Sequence, residues 1–128
     1  MAGEQEVAAA WLQHLRTRWA CDAVESLIEP IGGLTTGWEL IQALIAQASE
    51  DDLEFIGADP LERFVKRHGV EAIAEIERAA ACEPKFRIAL GHVWIQENYH
   101  PATIIARLVA ASGGKMEPSG QIGPPTDA

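Results

Sequence analysis

Residues 51–69 read DDLEFIGADPLERFVKRHG, and their apolar spacing decides the fold class. Leu53, Phe55 and Ile56 are the apolar content of the first stretch, and in the second Leu61, Phe64, Val65 and His68 return at three- and four-residue steps, the period of a helix buried on one face. Ser49 stands ahead as an N-cap for a short helical turn, EDDLEFIGA. Glu50, Asp51, Asp52 and Glu54 sit at its start, where the helix dipole favours acids, and Gly57 is expected to end it. Asp59-Pro60 predicts a new helix: a capping carboxylate, proline at the first helical position and Glu62 at the third. Glu62 and Lys66 form a favourable i,i+4 pair, and Gly69 is expected to close the helix.

The same period extends in both directions. Towards the N-terminus, residues 5–19 place Val7, Ala8, Trp11, Leu12, Leu15 and Trp19 on one helical face. Residues 22–29 predict a short helix capped by Asp22 with Glu25, stopped by Pro30, and Thr36 with Glu39 predicts a second capping box before a stripe of Trp38, Ile41, Leu44, Ile45 and Ala48. Towards the C-terminus, residues 70–82 carry Ile73, Ile76 and Ala80. Pro84 opens a helix running to about residue 98 with Phe86, Ala89, Leu90, Val93 and Trp94 inward, and His100-Pro101 starts a last one. No segment shows sustained strict alternation. The expectation is an all-α domain over residues 1–112, a compact bundle or short HEAT-like stack of six to seven short helices, followed by a disordered Gly/Pro-rich tail over 113–128.

A length of 128 residues suits one domain, and 48% apolar residues suffice for one core. No apolar run approaches the roughly 18 residues of a membrane span. The opening MAGEQEVAAAWLQHL has acids where a signal peptide needs a basic region, so a cytoplasmic location is expected, with Cys21 and Cys82 as free, packed thiols. The net charge of −9 is uneven: residues 1–62 hold twelve acids and two bases (−10), residues 63–128 seven acids and eight bases (+1). That sign argues against nucleic acid as a partner and suits a basic protein.

Asp51–His68 with Gly69, IGADPLERFVKRHG at its centre, resembles the signature of a family of small all-helical bacterial proteins of unknown function, an acid-rich short helix, I-G-A-G-P-L-E, then a helix ending H-G. IERAAACEPKFRIALGHVW is similar to that family's following segment, and the resemblance spans about residues 7–95. It departs at Asp59, where the family has glycine. The resemblance implies a helical fold and no established activity. Helical proteins of this kind often stand beside bacterial toxin genes, which suggests an immunity or antitoxin-like role.

Chemistry-bearing motifs are sparse. The His and Cys residues lack zinc-ligand spacing, and the acids at 50–54 lack a calcium-loop pattern, so neither metal nor cofactor is expected. No nucleophile motif or phosphate loop occurs. Glu62 is either a capping residue or half of an acid–base pair. His68 is either an inward-facing core residue or a base. Arg63, Lys66 and Arg67 form a basic cluster, either solvated or anion-binding. The four Trp are either core anchors or interface anchors. Two readings follow. The first is a non-enzymatic protein-binding module that docks a basic partner through an acidic face including Glu50, Asp51, Asp52 and Glu54. The alternative is a small enzyme or ligand-binding domain with a site near Glu62, His68 and Trp94, adjoining Arg63 and Arg67. A homodimer without ligand is a further option.

Overall fold

The computed structural model describes residues 3–14, 24, 26–28, 33–96 and 99–116. Among these the chain is all-α, with six α-helices and no strand: α1 Glu4–His14, α2 Leu34–Gln47, α3 Glu50–Ile56, α4 Glu62–Cys82, α5 Pro84–Leu90 and α6 Ala102–Ala111, with a π-helical turn at Gly57–Leu61 joining α3 to α4. α1 packs on α2, while α4 is the central helix, flanked by α5 and α6 and touched by α2.

The core follows the apolar period. Val7, Ala8 and Trp11 of α1 are buried, as are Leu40, Ile41, Leu44 and Ile45 of α2 and Phe64, Val65, Ile73 and Ile76 of α4. Leu15, Trp19, Cys21 and the Asp22–Glu25 capping box lie outside the described residues. Gly37 lets α2 approach α4: a Cβ there would sit 3.2 Å from the Phe64 ring and 3.4 Å from the Ile28 Cα.

The helix boundaries correct several expectations. α2 begins at Leu34 behind Gly33, so Thr36 lies inside the helix and caps nothing. Ser49 does begin α3: its backbone N–H donates to the Asp52 carboxylate at 3.2 Å. The α-type bonding of α3 ends at Ile56 with Gly57 as its cap, as expected, but the backbone does not break there and Asp59-Pro60 does not start a helix, because the chain stays helical from Glu50 to Cys82. Pro60 has no N–H for an α-type bond and its ring would strike the carbonyl four residues back. The wider π-turn, which accommodates one extra residue, absorbs it with Gly57, Pro60 and Leu61 all buried. Gly69 is interior to α4 and buried, with the His100 ring packed over it and the His100 Nε2 2.9 Å from the Val65 carbonyl oxygen.

α5 is shorter than the spacing predicts. It ends at Leu90 with Gly91 as its cap. Val93 and Ile95 are then buried while Trp94 is 60% exposed, so Trp94 is not a core anchor. Cys82 is an exposed free thiol rather than a packed one. Residues 113–116 close onto the domain: Gly114 donates to the Val109 carbonyl at 2.9 Å. Met116 is buried, and its N–H donates to the Ser112 hydroxyl at 2.9 Å. No described helix is long and apolar enough to cross a membrane.

Candidate functional site

The π-turn and the first two turns of α4 form one wall of a cleft of about 270 Å³, lined by Asp59, Glu62, Arg63, Lys66, Arg67 and Tyr99. The i,i+4 geometry pairs the charges along the helix: Arg63 with Asp59 at 3.2 Å and Lys66 with Glu62 at 3.3 Å. Asp59 is thus the counter-ion of Arg63 rather than an N-cap. Glu62 has a second partner, since its carboxylate accepts the backbone N–H of Trp94 at 2.9 Å and ties the loop after α5 to α4. That corrects its expected capping role: Glu62 satisfies a backbone N–H of a loop 32 positions away in sequence.

The structure therefore brings together Glu62, Arg63 and Arg67, with the Trp94 backbone at their edge. His68 does not join them. It is 5% exposed, its ring lies 5.2 Å from that of Phe64, and its Nε2 lies 2.7 Å from the Ile28 carbonyl oxygen. A carbonyl only accepts, so the Nε2 carries the proton and His68 is bound into the interior. The lining of the cleft includes Glu62 but neither His68 nor Trp94. Tyr99 was not singled out by the sequence, because only the tertiary fold carries it from the segment before α6 to the π-turn.

The acids at Glu50, Asp51 and Glu54 are exposed on α3, and Asp52 is held by Ser49. None of the four lines the cleft. A second concave region lies over α2. Two adjoining hollows of about 580 and 210 Å³ share Trp38 and Gln42; Glu4 and Glu39 border the first, Glu75 and Glu83 the second. Trp38 is half-buried, with its ring 5.5 Å from those of Phe64 and Phe86. Periodicity placed Trp38 on the buried stripe of α2; that it stays partly exposed was not legible from the spacing.

Among the described residues no group of three or more His, Cys, Asp or Glu is placed to hold a metal ion. No curated protein and no solved structure matches the chain. A family model does match, over residues 9–116, and this interval contains every helix from α2 to α6 and most of α1. The chain belongs to a family of unknown function, DUF6869.

Proposed function

We propose that this chain is a non-enzymatic protein-binding module that docks a basic partner protein through the acidic side formed by α1, α2 and α3. One observation carries the reading. Residues 1–62 hold twelve acids against two bases, Arg16 and Arg18, and among the described residues Glu4, Glu39, Glu50, Asp51 and Glu54 have no cation partner. Cations further along the chain are matched by acids of α4: Arg78 by Glu75 at 2.6 Å and Arg107 by Glu77 at 2.6 Å. Negative charge on the first three helices is left uncompensated, which favours fast encounter with a positive surface. An immunity or antitoxin-like inhibitor of a basic protein is the sharpest form of this function.

The test is affinity capture from the source cells with the native chain and with Glu50→Lys/Asp51→Lys/Glu54→Lys, three exposed positions that leave the Ser49–Asp52 cap intact. The expected result is a basic protein recovered at low salt, absent with the charge-reversed chain and lost near 1 M salt, where the Debye length falls to about 3 Å. A partner retained equally by both chains at both salt concentrations overturns the proposal.

A further inference from the structure

We infer that the groove over Trp38 is where a Lys/Arg-rich linear segment of the partner lies, with one of its cations on the Trp38 ring. The inference rests on the protein-binding reading above and names the chemistry of the occupant. Phe64 and Phe86, each with its ring centroid 5.5 Å from that of Trp38, pack against the indole at interplanar angles of 40° and 60°, so its orientation is set before any ligand arrives. A fixed, partly exposed indole bordered by carboxylates is the arrangement that attracts ammonium and guanidinium groups. Glu4 and Glu39 flank one hollow, and Glu83 borders the other. None of these three carboxylates has a side-chain partner among the described residues. Among the described residues that line the groove the one cation is Arg78, and it is bound to Glu75 at 2.6 Å.

The shape agrees with the charge. Ala43 and Ala46 on one side of Trp38 and Ala79 on the other leave depth for side chains of an extended segment. A second copy of this chain is a poor occupant, because its own net charge of −9 repels the groove.

The experiment titrates a fluorescein-labelled oligo-arginine peptide into the full chain, reading anisotropy, and follows the indole N–H resonance of Trp38, assigned by its loss in Trp38→Phe. An oligo-glutamate peptide is the control. The native chain should bind the arginine peptide and shift the Trp38 resonance. Glu39→Gln/Glu83→Gln, two exposed positions, should bind about three- to tenfold more weakly at low salt. Trp38→Phe should lose about two- to fivefold. Peptide that binds the Glu39→Gln/Glu83→Gln chain with native affinity and leaves the Trp38 resonance unmoved overturns the groove. If that binding is lost in the α3 charge-reversed chain, the broader docking reading survives. No binding of the arginine peptide at low salt overturns both.

Discussion

A methyl group on Gly57 has no room. A Cβ built there overlaps the Ala89 carbonyl oxygen and comes within 2.8 Å of the His92 Cβ, so the π-turn lies directly against the end of α5. Alanine ordinarily gains up to about 1 kcal/mol over glycine within a helix. Here the obstacle is backbone, which cannot swing aside as a side-chain tip would, and overpacking of this kind costs about 1–3 kcal/mol. Gly57→Ala should therefore lower the urea midpoint, with the amides of residues 89–93 losing hydrogen-exchange protection first; an unchanged or raised midpoint refutes the contact. Gly57 shows how far local reading reaches. A glycine after Ile56 signals a stop by its own conformational freedom, but in this chain it serves close approach, and close approach is a property of two segments that no single stretch contains. His68 was legible as an inward residue from its spacing, whereas its partner, the Ile28 carbonyl 2.7 Å away, was not.

At the scale of elements, apolar period located every described helix, since burying one face is worth more than any cap. Start signals fared unevenly. Ser49 with Asp52 three positions on works because nothing upstream competes: Ala48 is already extended. Thr36 loses because Leu34 and Thr35 extend the helix back to Gly33. Asp59-Pro60 loses because a capping gain of about 1 kcal/mol is less than that of burying Ile56, Pro60 and Leu61 in an unbroken helix. The tie between α4 and α6 was equally hidden. Arg107 grips Glu77 through two hydrogen bonds of 2.8 and 2.6 Å, thirty positions apart. The hydrogen bond from Arg107 holds the Glu77 carboxyl below its ordinary value of 4.5, aided by the charge of the guanidinium and opposed by desolvation. A carboxyl lowered in the folded chain stabilises it above the unfolded value, and that contribution is lost as pH falls through the folded value. The melting-temperature difference between the native chain and Glu77→Gln should be constant near neutrality and vanish as pH drops below 4.5. A difference independent of pH rules out the ion pair as its source.

For the molecule as a whole, the net charge of −9 was readable from composition, and so was its concentration in the first half. The spatial consequence was only partly readable. The acids of α3 were legible as a cluster at a helix start; the carboxylates around Trp38 were not seen as a set, since Glu4, Glu39 and Glu83 meet only through the packing of α1, α2 and the end of α4. An excess of one sign also works against compactness. Raising salt from about 0.01 M to about 0.3 M should shift the urea midpoint upward, because screening relieves repulsion among the unpaired acids more than it weakens the exposed ion pairs. A downward shift means that those pairs, rather than the repulsion, dominate the surface electrostatics.

The π-turn has one more implication, for angular phase. Each residue of an α-helix advances the chain by about 100° around its axis. An additional residue between Glu50 and Cys82 therefore rotates everything after Leu61 against everything before Gly57, as a vernier offsets one scale from another. The compass bearing of the α3 carboxylates relative to the Arg63–Lys66 row is set at this joint, so the orientation of two surface regions hangs on one supernumerary unit of backbone rather than on any side chain in either.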